Sequence, residues 1–503
     1  MDTFSLVLDG LAALCQWDSF LILVFGIVVG IIGGALPGFS STNTTALMLP
    51  LTFVLPPGQA LILIAGIYCG AMWGDAIPAI LFSIPGTPAA GSQTFDGYPL
   101  ALQGKADIAL GLSLGSSLVG GVVGGLLTIV LIPVMAGYSL KFGPAELFCL
   151  ALAAIIIVSS ISEGKEARRK GLVSGLFGLL LATITACPAF GTPRIWFGFY
   201  ELFEEIPLVS AMIGIFAIPT IIQFAFKDRI IDSEVEVINV GSVARQIEGI
   251  IEVFKRWGVT LRSTLIGWII GAIPGTGATV ATYVAYGQAK MWAKDPETYG
   301  KGNYDGVIAG DAANNAVSSG ALIPTLSLGI PGSGTTAIML VVFIIHGIIP
   351  GPRLISENAA DIYALLAATL VAPLVMTPMG LIINRFSAKL TALKSAYLLP
   401  TLFALCLIGS YAVRMYFFDI YLALLFGLLG LLLYKLKYPV IPFVMGIILG
   451  PIAEENLFRV TRLMKGWRIF TSGICITIIA IIVVLVFFAY IYPAFKKPKS
   501  ASA

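Results

Sequence analysis

The chain contains one motif twice: Gly34-Ala35-Leu36-Pro37-Gly38 and Gly271-Ala272-Ile273-Pro274-Gly275, which begin 237 positions apart (271 minus 34). Each copy lies inside an apolar stretch, and hydroxyl residues follow it. Within a membrane, a Pro-Gly pair interrupts a helix, and the interruption is tolerated only where the backbone is buried in protein or lines a wet cavity. Paired interruptions of this kind are typical of the binding sites of secondary transporters.

The composition is that of a membrane protein. Of the 503 residues, 58% are hydrophobic and 11% are charged, and the mean hydropathy is +0.95. A water-soluble domain carries about a quarter of charged residues, so that class is excluded. Because a helix needs roughly 20 apolar residues to cross the bilayer, we expect an all-α polytopic membrane protein with about 11 to 13 transmembrane helices plus re-entrant or broken helices.

Several enzyme and pump classes lack their signatures in this sequence. The six cysteines are scattered without CxxC spacing, so we expect neither disulfides nor a metal site built on them. There is no P-loop, no GxGxxG after a predicted strand and no zinc-ligand cluster. The first residues carry aspartates and no basic segment, so we expect no cleavable signal peptide. An ion gradient, and not ATP, is the expected source of energy for transport.

Further motifs match between the two halves in the same order. Gly74-Asp75 corresponds to Gly310-Asp311 at an offset of 236, and Ile84-Pro85-Gly86-Thr87 corresponds to Ile330-Pro331-Gly332-Ser333 at an offset of 246. The drift of ten positions (246 minus 236) places an insertion in the second copy after Asp311. We therefore expect two internal repeats, with inversion as the expected arrangement.

These motifs divide the chain into four parts. The first repeat spans 1–226, with hairpin breaks at 34–45 and 84–88; a cytoplasmic linker spans 227–258; the second repeat spans 259–438, with hairpin breaks at 271–279 and 330–336; membrane segments and a tail follow at 439–503. Within the linker, apolar residues recur at helical spacing among charged residues from 243 to 257. That pattern predicts an amphipathic helix on the cytoplasmic surface.

Basic clusters predict which loops face the cytoplasm. They occur at 165–170, 227–262, 385–394 and 459–468. The loop at 189–205 carries glutamates and is expected on the other side. The Gly- and Pro-rich segment 86–107 is too polar to span, and we expect a loop that dips inward.

Hydroxyl residues cluster after the breaks, where they would occupy the first turn of a half-helix. Free N–H groups and the positive end of the helix dipole favour an anion at that place, and the geometry suits a carboxylate. The alternative is that these hydroxyls only cap broken helices. The candidate substrate-binding residues are Ser40, Ser41, Thr42, Asn43, Thr44, Thr87, Thr276, Gly277, Thr279, Ser333 and Thr335.

A second set of residues could bind a coupling ion. Acidic residues are scarce inside apolar sequence, and an Asp at the bilayer centre costs about 2.5–3.5 kcal/mol unless it faces a cavity or a partner. Exposed carbonyls at the breaks and amide oxygens near the second Asp are ligands of the kind that Na+ prefers. The candidates are Pro37, Gly38, Asp75, Pro274, Gly275, Asp311, Asn314 and Asn315. Helix-to-helix hydrogen bonding is the alternative role for each Asp, and the single histidine, His346, is interpreted as a packing residue.

With these motifs in place, the chain resembles the large membrane subunit of the tripartite tricarboxylate transporters, the TctA-type family of bacteria. The resemblance runs over nearly the whole length. It is carried by the motifs quoted above together with Ala76-Ile77-Pro78, Asp96-Gly97-Tyr98-Pro99-Leu100 and the late run from Gly446 to Asn456.

The resemblance implies a cation-coupled importer of the bacterial inner membrane that works with two other proteins. These are a small TctB-type membrane subunit and a periplasmic TctC-type substrate-binding protein. Members of the family take up citrate and other carboxylates, so symport of a carboxylate with Na+ or H+ is expected. No other cofactor and no nucleic-acid partner is implied.

Two other functions compete with this interpretation. An intramembrane aspartyl protease could use Asp75 and Asp311 as a pair of carboxylates that share one proton. Such an enzyme has no use for four Pro-Gly breaks lined with hydroxyls. A passive channel is the third class, but the chain lacks the rings of charge that are usual in selective pores.

Overall fold

A computed structural model gives the fold of the chain. It describes residues 3–36, 39–139, 141–161, 165–184, 186–187, 192, 194–202, 206–225, 240–386, 395–412, 414–463 and 472–487. These residues form helices joined by short connections. Among the residues that the structure describes, six helices are long and apolar enough to cross a membrane by length and composition, and six further apolar helices are shorter. The expected all-α polytopic membrane fold is confirmed.

The helices form two series that follow the same order. The first series is α1 Thr3–Leu14, α2 Trp17–Ala35, α3 Ser41–Thr52, α4 Pro57–Gly74, α5 Ala76–Phe82, α6 Gly91–Leu100, α7 Ala106–Ser139, α8 Pro144–Ile161, α9 Lys165–Ala182, α10 Leu208–Met212 and α11 Ile218–Ala225. A π-helical turn joins α10 to α11.

The second series is α12 Val243–Lys255, α13 Trp257–Gly271, α14 Gly277–Trp292, α15 Tyr304–Gly320, α16 Leu322–Leu328, α17 Gly334–Ile345, α18 Leu354–Glu357, α19 Ala359–Ile383, α20 Ser395–Ala412, α21 Phe417–Lys435 and α22 Val440–Phe458, after which α23 Gly473–Val486 completes the described chain. The lengths repeat as well, because α4 has 18 residues and α15 has 17, and each is followed by a helix of seven.

Corresponding helices of the two series run in opposite directions. The long α7 and its counterpart α19 are antiparallel, since Gly121 lies against Pro373, Gly125 against Leu370 and Leu114 against Gly380. The first helix of each series also packs on the other series: α1 touches the start of α19 at Gly10, and α12 touches the start of α7. Close approach at glycines is the usual way to gain contact between helices in lipid. The two series are therefore inverted relative to each other.

The packing of α9 on α22 defines the two ends of the molecule. Both helices run in the same direction, because Ser174 donates to the Pro439 carbonyl (2.7 Å) and, further along both helices, Gly450 lies against Ala182. Lys170 donates to Leu436 O at one end, which we name the Lys170 face. At the other end Arg194 binds both carboxylate oxygens of Glu454, and we name this the Glu454 face.

This geometry corrects the expectation that all basic clusters share one side. Arg459 follows Glu454 by five positions (459 minus 454) and lies at the Glu454 face, whereas Lys170 lies at the opposite end of α22. Positive charges alone do not reveal this, because they do not show that α22, which is long and apolar enough to cross a membrane, lies between the two clusters. The last basic residues, 496–499, most of the 385–394 cluster and residues 464–468 of the last cluster lie outside the described residues.

The amphipathic helix of the linker is present as α12, which packs on the start of α7. Its packed side is Gln246, Gly249 and Val253, whereas Ile247 and Ile251 are exposed. Hydrogen bonds from Lys255 and then Arg256 lower the pKa of Glu252 on its polar side. Ile247, Ile251 and Phe254 thus face away from the protein, whereas Ile250 lies against Gly115 of α7. An exposed apolar side of this kind suits a helix at a membrane surface.

The segment 86–107 is helical from Gly91 onward, so the expected inward loop is wrong. Residues Gly91–Leu100 form α6, which packs against α5 and α15 and continues through a π-helical turn into α7. Its polar residues are buried by specific partners. The Asp96 carboxylate accepts hydrogen bonds from the backbone N–H groups of Gly300 (2.8 Å), Gly302 (2.9 Å) and Asn303 (2.8 Å) and from the Tyr286 hydroxyl (2.9 Å). Asp96 therefore holds the α14–α15 connection.

Two cysteine variants test the assignment of the two faces. In a background without native cysteines, Glu166→Cys and Arg459→Cys replace exposed side chains at the Lys170 face and the Glu454 face. We expect a membrane-impermeant maleimide to label them from opposite sides of sealed vesicles. Labelling of both from one side would contradict the parallel packing of α9 and α22.

A second prediction concerns Asp96. Replacing it by Asn removes the charge that three backbone donors share, and hydrogen bonds to charged groups are worth about 1.5–3 kcal/mol each. We expect trypsin to cleave at Lys294 and Lys301 at least about tenfold faster, because the connection opens locally. Gln103→Ala, which removes an exposed hydrogen bond to Lys301 O, is the control and should change the rate little. An unchanged rate for Asp96→Asn would show that Asp96 does not hold the connection.

Candidate carboxylate and cation site

The first break lies between α2 and α3. Helix α2 ends at Ala35, and α3 begins at Ser41 with Ser40 as its N-cap, whose hydroxyl accepts from Asn43 N (3.2 Å). Pro37 and Gly38 lie outside the described residues. The chain therefore stops one helix and starts another, and α3 begins with N–H groups that no residue of its own helix can bind.

The corresponding break lies between α13 and α14. Gly275 and Gly277 have φ values of +72° and +68°, a conformation that glycine adopts without strain. Gly275 N donates to Gly332 O (2.9 Å), so the two breaks of this series touch. The Thr276 hydroxyl donates to the carbonyls of Ile270 (2.5 Å) and Ile273 (2.9 Å). Thr276 thus caps the end of α13.

The starts of α3 and α17 converge. Helix α17 begins at Gly334 with Ser333 as its N-cap, and a capping box with Thr336 completes its first turn. The Thr335 hydroxyl lies 2.9 Å from the Ser41 hydroxyl and 3.3 Å from that of Thr42. The Tyr68 hydroxyl of α4 lies 2.9 Å from that of Ser333. Two helix N-termini from different series thus meet at a group of hydroxyls, Ser41, Thr42, Tyr68, Ser333 and Thr335, which we name the hydroxyl cluster.

The remaining substrate candidates lie elsewhere. Asn43 donates to Thr220 of α11 (3.0 Å), and the Thr44 hydroxyl donates to Ser40 O (3.0 Å). Thr87 donates to Asp75 (2.5 Å). Gly277 and Thr279 form the start of α14, which meets the residues before α6, where Thr282 donates to Ala89 O (3.1 Å). Of the eleven candidates, the structure brings four together: Ser41, Thr42, Ser333 and Thr335.

Asp75 and Asp311 do not occupy matching places, which corrects the sequence alignment of the repeats. Asp75 links α4 to α5, and the residue that links α15 to α16 is Ala321. Asp311 lies in the middle of α15. The insertion of the second series lies before α15, in the longer α14 and its connection, and not after Asp311. Two acidic residues after glycine had matched by coincidence.

Buried acceptor oxygens form a second cluster along one face of α15. Asp311, Asn314 and Asn315 are separated by three and four positions, and each is at most 1% exposed. The Asn314 amide donates to Met72 O (2.6 Å) and Asp75 Oδ1 (3.3 Å), and the Asn315 amide donates to Ser117 Oγ (2.7 Å). Both carboxylate oxygens of Asp311 and both amide oxygens have no hydrogen-bond partner among the described residues. We name these three residues the α15 oxygen cluster.

Several groups at these two clusters were not predicted from the sequence. Tyr68 lies in an apolar helix, and its small-residue neighbours gave no sign that its hydroxyl reaches Ser333. Ser113 and Ser117 lie beside a glycine-rich stretch that is typical of helix packing. The available signal was their spacing of four residues, which equals that of Asp311 and Asn315. His346 contacts Thr52 O (3.0 Å) at the end of α17, away from both clusters.

Inverted helical series with breaks that meet inside the protein define a membrane transporter class. Within that class, the chain belongs to the tripartite tricarboxylate transporter TctA family, which it matches over residues 20–445. It is therefore a component of a tripartite tricarboxylate transporter and a multi-pass membrane protein.

Two relatives come from Agrobacterium vitis. An uncharacterized 52.8 kDa protein in the TAR-I ttuC′ 3′ region is 32% identical over 442 residues, which cover 88% of this chain and 86% of the relative. An uncharacterized protein in the TAR-II ttuC′ 3′ region is 30% identical over 200 residues, covering 40% and 83%. No solved structure matches the chain.

Proposed function

We propose that the chain is the transport subunit of a carboxylate importer of the bacterial inner membrane. It would carry a tri- or other carboxylate such as citrate, together with Na+, after delivery by a TctC-type periplasmic protein and with a TctB-type small membrane subunit. The observation that carries this proposal is the convergence of α3 and α17 at the hydroxyl cluster. Family membership supports the partners, because the family is defined by its three-part transporters.

The convergence of α3 and α17 suits a multiply charged anion. Each helix N-terminus acts as roughly half a positive charge and presents free N–H groups. Both helices have 12 residues, which is long enough for this effect. Two such ends within 2.9 Å of each other, at the Ser41 and Thr335 hydroxyls, would bind two carboxylate groups or clamp one. Hydroxyls add donors without adding charge, so the anion can be released.

The α15 oxygen cluster suits the coupling cation. A bound proton would satisfy one carboxylate oxygen of Asp311 and leave the amide oxygens of Asn314 and Asn315 unpaired. A Na+ ion binds carboxylate and amide oxygens together. The combination of carboxylate and amide oxygens in the α15 oxygen cluster therefore favours Na+ over H+ as the coupling ion.

Asp75 connects the cation cluster to a helix break. It accepts from Asn314 on one side and from Thr87, in the break after α5, on the other. Binding of a cation at Asn314 would therefore change the environment of Asp75 and of that break. Coupling of this kind is reciprocal, so the substrate would raise cation affinity by the same factor.

The contacts of Asp75 favour transport over proteolysis. A catalytic carboxylate pair shares one proton through direct contact. The Asp75 carboxylate is instead occupied by Thr87 and Asn314. A protease would also leave the convergence of α3 and α17 without a role.

Uptake into proteoliposomes tests the proposal. The chain is reconstituted with its small subunit, and radiolabelled citrate is supplied with the binding protein, with or without an inward Na+ gradient. Na+-dependent accumulation is the expected result. Accumulation that follows only a proton gradient would overturn the choice of Na+. Failure of every carboxylate that the binding protein binds would overturn the proposed function.

Thr335→Val tests the hydroxyl cluster. Valine keeps the shape of the side chain but removes the hydroxyl next to Ser41 and Thr42. Because a hydrogen bond to a charged group is worth about 1.5–3 kcal/mol, we expect the substrate concentration for half-maximal uptake to rise about tenfold or more.

The matched control is Thr369→Val in α19, whose buried hydroxyl donates within its own helix to Leu365 O (2.9 Å). This variant should change the substrate concentration for half-maximal uptake by no more than about twofold, because the lost hydroxyl makes no bond to the substrate. If Thr335→Val behaves like this control, the carboxylate does not bind at the hydroxyl cluster.

A further inference from the structure

Three serines of α7 lie fully buried beside the α15 oxygen cluster: Ser113, Ser116 and Ser117. A buried serine in a helix normally donates to a carbonyl one turn earlier. Ser116 does so, at Leu112 O (2.7 Å) and Ser113 O (3.0 Å). Ser117 instead accepts from the Asn315 amide, and the Ser113 hydroxyl has no hydrogen-bond partner in the described part of the chain. Ser113 and Ser117 therefore do not form the usual hydrogen bond within their own helix.

These two serines match the α15 oxygen cluster in spacing. Ser113 and Ser117 are four positions apart on α7, and Asp311 and Asn315 are four positions apart on α15. The helices run side by side in the same direction, with Gly120 against Ala312 and Gly124 against Ala316. Each of the two serines therefore lies next to one residue of the α15 oxygen cluster: Ser117 binds Asn315, and Ser113 lies beside Asp311.

The Asn315 amide shows what Ser117 does. Its nitrogen is held by the Ser117 oxygen at 2.7 Å, which fixes the plane of the amide. Its oxygen then points away from Ser117 and has no hydrogen-bond partner among the residues described. Because its nitrogen is fixed by a hydrogen bond, the amide presents its oxygen in a fixed direction. Metal-binding side chains are commonly oriented in this way by a hydrogen bond to a neighbouring residue.

The Ser113 hydroxyl is a neighbour of the Asp311 carboxylate. Neither the hydroxyl nor either carboxylate oxygen has a hydrogen-bond partner of ordinary geometry in the described structure. Leaving such groups unpaired inside a protein costs about 1–3 kcal/mol each. A cation between them would satisfy both residues at once.

We propose that Ser113 is a direct ligand of the coupling cation and that Ser117 is a positioning residue that orients the Asn315 oxygen toward it. The site then consists of Asp311, Asn314 and Asn315 from the second series and Ser113 from the first. This inference rests on the proposed function, because it concerns the same cation. It adds a consequence: the cation joins α7 to α15, so its binding changes the contact between the two inverted series.

Direct binding of ²²Na+ to the purified full-length protein, without substrate, tests the proposal. Ser113→Ala removes one ligand, and we expect Na+ affinity to fall about tenfold to a hundredfold. Ser117→Ala should weaken it by less, because the Asn315 oxygen is still present but no longer held. Ser116→Ala is the matched control, because it removes a buried hydroxyl that bonds only within α7, and it should bind like the wild type.

A second variant separates ligation from packing. Ser113→Cys keeps a side chain of similar shape but replaces the oxygen by sulfur, a poor ligand for a hard cation. In Na+-free choline buffer its Tm should equal that of the wild type. The rise in Tm that Na+ causes in the wild type, through preferential binding to the folded state, should be reduced or lost.

The outcomes distinguish this inference from the proposed function. If the wild type binds Na+ and Ser113→Ala and Ser113→Cys bind it equally well, Ser113 is not a ligand and only the present inference fails. If the wild type binds no Na+ and transport follows a proton gradient, both the choice of Na+ and the inference fail. If Ser116→Ala weakens Na+ binding as much as Ser113→Ala does, the loss of affinity results from altered packing of α7, and the assignment of Ser113 as a ligand is overturned.

Discussion

Backbone groups left open by a helix break inside a membrane need partners from elsewhere in the protein, and this constraint shapes the molecule. In the second series, Gly275 N donates to Gly332 O, so the first break closes on the second. In the first series, Gly86 N donates to Asp75 O, and a side chain at Gly86 would collide with the Gly34 carbonyl. In each series the two breaks therefore lie against each other, and in the second series a hydrogen bond joins them. The hydroxyl cluster and the α15 oxygen cluster lie where the two series contact each other.

Because the two series are inverted, equivalent positions in them contact different parts of the protein. Tyr68 lies six positions before the end of α4 (74 minus 68), and Asn314 lies six positions before the end of α15 (320 minus 314). Tyr68 contacts Ser333 at the start of α17, whereas Asn314 contacts Asp75 at the end of α4. One position therefore belongs to the hydroxyl cluster and its counterpart to the α15 oxygen cluster. This division would allow one transporter to bind an anion and a cation side by side.

The sequence predicted the parts of the fold that depend on local chemistry. The Pro-Gly breaks, the hydroxyls that follow them and the amphipathic α12 can be inferred from neighbouring residues, since each follows from backbone geometry or helical spacing. Features that depend on the position of a distant segment were misjudged. Asp75 was aligned with Asp311 because the insertion lies in the α14–α15 connection, which has no motif to mark it. The contacts of Ser113 and Ser117 with the α15 oxygen cluster could not be predicted, because they depend on the register of α7 against α15.

A disulfide cross-link tests the meeting of α3 and α17 most directly. In a cysteine-free background, Ser41→Cys with Thr335→Cys is oxidised, and the chain is then cut at a protease site placed in the linker at 227–239. Ser117→Cys with Asn315→Cys, a pair 2.7 Å apart across the same two series, shows that the assay detects such contacts. We expect both pairs to hold the two halves together on a denaturing gel. Separation of the halves in the first pair but not in the second would contradict the convergence of the two helix starts.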